Sequence, residues 1–190
     1  RSLEPYRNAD PNYIFIEQTF DQLLFNERAQ GLLPEAVEKW GLASDSMSIT
    51  VTLRPNMTTH DGSEVNAEML KWDSDERIIQ KDKGVAFYNQ FAQYYESCEV
   101  IDPLTLKINF SKATPHAEDL MALFIIADPD MFIKDDGSVA LGNEEDKQIG
   151  SGAFKMTEYV PGSHITFERF DGYWEPDVPK LKGIEVQIFG

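Results

Sequence analysis

The sequence is poor in cysteine, in basic residues and in long apolar runs. Cys98 is the one cysteine among 190 residues, which excludes an internal disulfide framework and a metal site built from several cysteines. No apolar run approaches the roughly 20 residues that a membrane-spanning helix needs. Seventeen Lys and Arg stand against 33 Asp and Glu, a formal net charge of −16. Because so acidic a surface repels nucleic-acid phosphates and anionic lipid, we expect no nucleic-acid partner.

Catalytic and cofactor motifs are scarce as well. Ser151 has Ile149 two residues before it, so the Gly-x-Ser-x-Gly elbow of a serine nucleophile is absent. None of the three histidines has the His-x-x-x-His spacing of a zinc-binding helix. The Gly150-Ser151-Gly152 run lacks the third glycine of a dinucleotide-binding loop and precedes a predicted strand, so it has no helix end for a phosphate. No single motif indicates an enzyme.

Acidic residues are concentrated between Glu118 and Asp146, where nine carboxylates accompany one lysine. A metal site there would draw on Asp128, Asp130, Asp135, Asp136 and Glu144. The calcium-loop pattern fails, because Phe132 stands five residues before Gly137, where the first ligand belongs. We therefore interpret this region as a solvated acidic loop and predict no metal and no cofactor.

The run His60-Asp61-Gly62 contains a neighbouring histidine and aspartate, which suggests a catalytic pair. Asp-Gly between a strand and a helix is a strong turn dipeptide, which favours a tight turn over a catalytic pair. A secreted hydrolase that uses His60 and Asp61 remains a weak third hypothesis.

Hydrophobic periodicity predicts a mixture of helices and hairpin-joined strands. Helices are predicted over 13–30, 34–40, 66–80, 85–98 and 115–126. The first places Ile16, Phe20, Leu23 and Leu24 on one face, and Asn66 can cap the third. Strands are predicted over 48–54 and 106–110, in a hairpin at 154–160 and 165–167, and over 184–188. Because no βαβ unit repeats regularly, the fold class is mixed α/β with α+β character.

An ordered series of short motifs runs through nearly the whole chain. They are Phe20-Asp21-Gln22-Leu23-Leu24, Leu53-Arg54-Pro55-Asn56, His60-Asp61-Gly62, Asn66-Ala67-Glu68, Val100-Ile101-Asp102, Gly150-Ser151-Gly152-Ala153-Phe154, Tyr159-Val160-Pro161-Gly162 and Asp171-Gly172-Tyr173-Trp174. In this order they resemble the extracytoplasmic solute-binding proteins of peptide and nickel ABC transporters, family 5. Two departures are Met69, where the family usually has an acid, and Ala153, where it usually has proline.

The resemblance implies part of a type II periplasmic-binding-protein clamp, chiefly an inserted second domain. Residues 1–45 correspond to a piece of the first lobe, 46–177 to the second domain and 178–190 to a strand that returns to the first lobe, with no counterpart of the third domain. Since the chain starts with Arg1 and not Met, we expect it to begin inside a longer precursor. In clamp proteins the ligand is buried between lobes, so we expect one lobe alone not to close on a ligand.

The function that the resemblance implies is non-catalytic capture of a small solute, foremost a peptide, for delivery to an ABC import permease. Nickel chelates, sugars and oligosaccharides stay open as solutes. The expected location is extracytoplasmic, either periplasmic or as a cell-surface lipoprotein in a Gram-positive organism. The alternative function is a stand-alone cell-surface module for protein interaction. Apolar surface left by missing domains is expected to favour self-association of the chain.

The resemblance also implies which residues approach the ligand cleft: Tyr13, Tyr88, Asp128 and Met131. For Tyr88 a partly buried packing role is the competing interpretation, since aromatic residues at helical spacing usually pack. For Asp128 and Asp130 the competing interpretation is that they are solvated acids of a loop. If they face the cleft, they favour a cationic group on the solute, such as a peptide amino terminus.

Overall fold

The computed structural model describes residues 13–78, 90–138 and 148–188, with side chains of the first range from residue 16 to 76. The helices are α1 Tyr13–Thr19, α2 Ala67–Trp72, a π-helix Asp73–Ile78, α3 Ala117–Met121 and a 3₁₀ turn Pro129–Met131. The strands are β1 Leu24–Glu27, β2 Gly31–Pro34, β3 Val37–Leu42, β4 Ser48–Leu53, β5 Tyr95–Asp102, β6 Thr105–Phe110, β7 Phe154–Val160, β8 His164–Arg169 and β9 Gly183–Gln187. The predicted mixed class is confirmed. Among these residues, every helix is too short or too polar to cross a membrane.

The main sheet has four antiparallel strands in the order β3-β4-β6-β5. Its central strands, β4 and β6, alternate between buried and half-buried side chains along their whole length. Ile49 lies opposite Ile108 and Val51 opposite Leu106, and all four side chains are fully buried. Each contributes about 1.5–3 kcal/mol through its removal from water. The strands predicted over 48–54 and 106–110 are confirmed, and this face of the sheet forms the main core.

The second sheet has three antiparallel strands in the order β7-β8-β9. β7 and β8 form the predicted hairpin, and its turn places Gly162 at φ +77°, where glycine carries no steric penalty. Phe154, Ile165 and Phe167 form a small core cluster of their own. β9 confirms the predicted last strand and completes the sheet beside β8.

The first helix is shorter than predicted. α1 ends at Thr19 and not at residue 30, and most of the remainder forms the hairpin β1–β2. The Leu23 amide donates to the Phe124 carbonyl at 2.9 Å, and Gln22 pairs with Ile125 as a β-bridge. Backbone pairing with a distant segment replaces helical hydrogen bonds here, which local periodicity cannot predict. The predicted apolar positions are nevertheless buried, at Ile16, Phe20, Leu23 and Leu24.

Two other segments that were predicted as helices form strands. The predicted helix over 34–40 is wrong, because this segment supplies β3, which pairs with β4. Of the helix predicted over 85–98, residues 90–92 are helical, β5 begins at Tyr95, and 85–89 lie outside the described ranges. Tyr95 and Cys98 are both buried, and the pairing register shifts between Tyr95 and Ser97. That bulge gives β5 an inward spacing of three residues, which imitates helical periodicity.

Helix starts agree with prediction better than helix ends. The Asn66 side chain caps α2 by accepting a hydrogen bond from the Met69 amide at 3.0 Å, as predicted, and the helix continues as the π-helix to Ile78. Residues 79 and 80 lie outside the described ranges. Of the helix predicted over 115–126, α3 forms the middle part. It ends early because the Ile126 amide donates to the Asp21 carbonyl at 2.9 Å.

The predicted domain division stays a prediction. β3 and β4 pair across the boundary placed between residues 45 and 46, and β8 and β9 pair across the one placed between 177 and 178. Both boundaries therefore fall in connections between paired strands.

Candidate functional site

A buried carboxylate lies where three distant segments of the chain meet. Asp21, two residues after the end of α1, is 2% exposed. Its Oδ2 accepts hydrogen bonds from Ser151 Oγ at 2.9 Å and Trp174 Nε1 at 3.1 Å, and its Oδ1 accepts from Tyr173 Oη at 3.0 Å. We call these four residues the Asp21 hub. A carboxyl group removed from water needs such partners, so the hub joins the end of α1 to the segments around residues 151 and 173.

Two glycines let the Ser151 segment reach the hub. A Cβ on Gly150 would lie 2.1 Å from the Thr19 carbonyl oxygen, and one on Gly152 would lie 2.5 Å from the Thr19 carbonyl carbon. The Gly152 amide instead donates to the Thr19 carbonyl at 2.9 Å. The Gly-Ser-Gly run therefore serves close backbone packing against the end of α1, which brings Ser151 to Asp21.

Glu35 and Arg54 lie beside the hub. The Glu35 carboxylate accepts a hydrogen bond from the Gln22 amide at 2.9 Å. The Arg54 guanidinium stacks over the Trp174 ring, with Cζ 4.4 Å from the ring centroid, and Arg54 Nε donates to the Glu35 backbone carbonyl. A guanidinium above an indole ring is a favourable cation–π contact, so Arg54 links Trp174 to the chain that precedes β3.

Burial raises the pKa of both carboxyl groups in this region. The pKa of Asp21 rises to about 7, because desolvation outweighs the hydrogen bonds that favour its ionised form. The pKa of Glu35 rises to about 8, first through burial and second through the charge of Asp21. The two groups can therefore take up and release protons near neutral pH.

A second group of acids surrounds Thr59. Asp61, Asp128 and Asp130 each bring one carboxylate oxygen within 4.8 Å of the others, and with Thr59 they form what we call the acidic turn cluster. Thr59 Oγ1 contacts Asp61 and lies 3.1 Å from Asp128 Oδ2. Burial raises the pKa of Asp128, whereas the hydrogen bonds from Thr59 and Ser63 outweigh desolvation and lower the pKa of Asp61. Carboxylate oxygens at this spacing suit a hard cation or a cationic group of a ligand.

The structure places two of the four predicted ligand residues together. Asp128 caps the 3₁₀ turn that Met131 ends, and both are 3% exposed. The interpretation of Asp128 as a solvated loop acid is therefore wrong, because the Thr59 hydroxyl and the Asp130 amide replace water around its carboxylate. Asp130 itself is exposed. Tyr13 is the first residue of α1 and Tyr88 lies outside the described residues, so the ligand roles of all four stay predictions.

His60 and Asp61 point to different partners. His60 Nε2 lies 2.9 Å from the Gly152 carbonyl oxygen and so donates to it, and the ring packs edge-on against Phe170 with centroids 5.0 Å apart. Asp61 accepts from Thr59 and from the Ser63 amide. Burial lowers the pKa of His60. The predicted Asp-Gly turn is confirmed, with Gly62 at φ +96°.

Sequence reasoning named none of the hub residues as a site. Asp21, Ser151 and the Tyr173-Trp174 pair each occur in a motif quoted above, but a motif order does not show which motifs touch. The signal that was available is the acid inside the apolar run Phe20–Leu24. A polar residue in a buried segment requires a partner, and only the tertiary structure identifies that partner.

Known proteins resemble the chain along most of its length. The family described as "Bacterial extracellular solute-binding proteins, family 5 Middle" matches residues 31–190. The glutathione-binding protein GsiB of Pectobacterium atrosepticum is 28% identical over 186 residues, which are 96% of this chain and 35% of that protein. The chain therefore spans about a third of the length of the curated relatives it matches.

Solved structures share the fold. NikA from Brucella suis, solved in complex with Fe(III)-EDTA, superposes with a TM-score of 0.77 at 26% identity, over 98% of this chain and 37% of NikA. A dipeptide-binding protein from Pseudoalteromonas sp. SM9913, solved with Met-Leu, gives a TM-score of 0.83 at 17% identity, over 99% of this chain and 41% of that protein. Both agree with the predicted type II periplasmic-binding-protein fold. Since the family match covers 160 of the 190 residues, the chain belongs to the bacterial extracellular solute-binding proteins of family 5.

Proposed function

We propose that the protein captures a small solute, a peptide, outside the cytoplasm and delivers it unchanged to an ABC import permease. The observation that carries this proposal is the 28% identity, over 96% of the chain, to a glutathione-binding protein, because glutathione is a tripeptide. The family's description as extracellular supports the location, and we propose a periplasmic protein or a cell-surface lipoprotein. The comparisons do not support the alternative of a stand-alone interaction module.

Within the proposed clamp, residues 46–177 form the second domain between the first-lobe pieces 1–45 and 178–190. The acidic turn cluster supports a ligand role for Asp128 and Met131, because three carboxylates beside one turn attract a cationic group such as a peptide amino terminus. Tyr13 and Tyr88 are proposed as the aromatic contacts. Exposed apolar side chains such as Leu181, which is 62% exposed, support the proposed self-association, which light scattering at increasing concentration tests.

Isothermal titration calorimetry of the complete protein tests the solute class. The probes are glutathione, a set of di- and tripeptides, and a nickel–histidine chelate, since NikA was solved with a metal chelate. We expect at least one peptide to bind with micromolar or tighter affinity and the chelate to bind more weakly. Binding of the chelate alone would refute a peptide as the solute. Binding of no probe would refute both a peptide and a nickel chelate.

A pair of variants tests the role of Asp128. Asp128→Asn keeps the shape of the side chain and removes its charge, so we expect peptide affinity to fall about tenfold, the scale of one hydrogen bond to a charged group. Asp136→Asn removes the same charge from an exposed position and serves as the matched control. Equal affinities in the two variants would exclude Asp128 from the solute site.

A further inference from the structure

We propose that the Asp21 hub is a pH-responsive latch that holds residues 170–182, here called the strap, against the body of the protein. The strap connects β8 to β9 and consists of turns and bends without helix or strand. Most of its side chains are exposed, including all of Glu175, Pro176, Asp177 and Val178. Segments with few buried contacts open locally before the rest of a fold does. The latch is a property of the chain itself and does not depend on the proposed function.

Two aromatic side chains attach the middle of the strap to the body, in addition to Phe170 at its start, whose amide donates to the Ala153 carbonyl at 2.9 Å. Tyr173 Oη and Trp174 Nε1 donate to Asp21 at 3.0 and 3.1 Å, and the Trp174 ring carries the Arg54 guanidinium at 4.4 Å. Tyr173 and Trp174 also contact each other, with ring centroids 5.3 Å apart. Loss of the Asp21 interaction therefore removes both side-chain hydrogen bonds that hold Tyr173 and Trp174 against the end of α1.

Charged groups from every neighbouring element face this anchor. The described groups are Asp21 after α1, Glu17 on α1, Glu35 before β3, Arg54 after β4, and Tyr173 and Glu175 on the strap itself. The carboxyl groups outnumber the guanidinium four to one. Ionisation of Asp21 therefore places a negative charge in a poorly solvated space that also holds the carboxyl groups of Glu35, Glu17 and Glu175, and this opposes closure of the strap.

The geometry decides which oxygen of Asp21 carries a proton. Oδ2 faces Ser151 and Trp174, and an indole N–H has no lone pair with which to accept a hydrogen bond. Oδ1 faces Tyr173 Oη alone, and a phenolic oxygen both donates and accepts. The proton therefore belongs on Oδ1, where it is donated to Tyr173, and the neutral acid keeps all three contacts. The closed strap holds the proton without loss of its anchor.

The direction of the pH effect follows from the burial. With the strap closed the pKa of Asp21 is raised to about 7, and with the strap open and the carboxyl in water it returns toward its ordinary 3.8. Closure is therefore strengthened as pH falls below about 7 and weakened as pH rises from about 4 to about 7. One linked proton changes the closing equilibrium by at most about tenfold per pH unit.

Hydrogen–deuterium exchange of the protein between pH 5 and 8, corrected for the intrinsic pH dependence of amide exchange, tests the latch. We expect the opening of strap and β9 amides to increase several-fold per pH unit between pH 5 and 7, while β4 and β6 amides keep their protection. Asp21→Asn can accept from Ser151 and Trp174 and present its amide to Tyr173, so it keeps the strap closed and removes most of the pH dependence. Asp177→Asn removes one charge from the strap at φ +64°, a conformation that Asn tolerates, and should retain the wild-type pH dependence.

Two results would overturn the latch. One is an unchanged pH dependence in Asp21→Asn. The other is strap and β4 amides that change together, since this would report global stability and not local opening. If Asp21→Asn does not fold, Tyr173→Phe provides the test, because it keeps the ring and removes the hydroxyl that meets Oδ1. We expect strap exchange in Tyr173→Phe to rise several-fold at pH 5, and exchange equal to wild type would refute the proposal.

Discussion

Gly150→Ala tests whether close backbone packing builds the Asp21 hub. The added Cβ would lie 2.1 Å from the Thr19 carbonyl oxygen and 2.5 Å from Phe20 Cδ1. Contact with the backbone oxygen cannot be relieved by a rotamer change. The two segments must therefore separate by about 1.3 Å before the two atoms reach an ordinary van der Waals distance of 3.4 Å.

That separation breaks specific hydrogen bonds. The His60 amide donates to the Gly150 carbonyl at 2.8 Å and the Gly152 amide donates to the Thr19 carbonyl at 2.9 Å. Ser151 Oγ donates to Asp21 at 2.9 Å, and both residues are buried. At about 1 kcal/mol for each bond, and with some overpacking strain, the free energy of unfolding should fall by about 3–4 kcal/mol. For a chain of this length the melting temperature should fall by about 10 °C.

Urea denaturation followed by circular dichroism measures the difference, with Gly41→Ala as the matched control. A Cβ on Gly41 meets no atom within 4 Å, and Gly41 lies in β3, where alanine is favoured over glycine by about 0.5–1 kcal/mol. The control should therefore be neutral or slightly stabilising. Unfolding free energies that agree within about 1 kcal/mol between the two variants would refute the role of close packing at Gly150.

Three further outcomes are expected. Asn66→Ala removes the cap of α2 and should lower the free energy of unfolding by about 1 kcal/mol in urea melts, and no loss would show that the cap is dispensable. Glu35→Gln should gain stability relative to wild type as pH rises from 5 to 8, because a carboxyl group whose pKa burial raises from 4.5 to about 8 costs stability once the unfolded chain ionises. Glu38→Gln, at an exposed position of β3, controls for the lost charge. A difference in unfolding free energy between Glu35→Gln and wild type that does not grow with pH would contradict burial as the cause. The 190-residue chain alone should bind no peptide in calorimetry, since it spans about a third of its relatives and one lobe alone is not expected to close on a ligand. Micromolar binding of a peptide by this chain would refute that expectation.

The positions of strands with strict alternation were predictable from sequence. Ile49, Val51 and Leu53 repeat every second residue, and this period belongs to a half-buried strand alone. The cap at Asn66 and the turn at Gly162 were also predictable, because each depends on residues that are close together in the chain. The helix predicted through Tyr95 and Cys98 was wrong, since a bulge in β5 produces the same spacing.

The candidate site was only partly predictable. Asp128 and Met131 were placed on the loop that follows the apolar helix, and the structure adds that both are buried beside Thr59. Asp21 and Glu35 were missed as titratable groups, because their raised pKa values come from burial and from neighbours far away in the chain. Desolvation is a property of the folded molecule and leaves no local trace in the sequence.

The sequence by itself determined the exclusion of a disulfide scaffold, the mixed fold class and, through the order of its motifs, the family that the comparisons confirm. Each of these depends on composition or on patterns that are local in the chain. The tertiary structure alone decided that three of those motifs meet at Asp21, that the Gly-Ser-Gly run packs against the end of α1, and that Asp128 is buried. The reason is physical: contacts between residues 21, 151 and 173 span up to 152 positions, and which of them form is set by the packing of the whole fold.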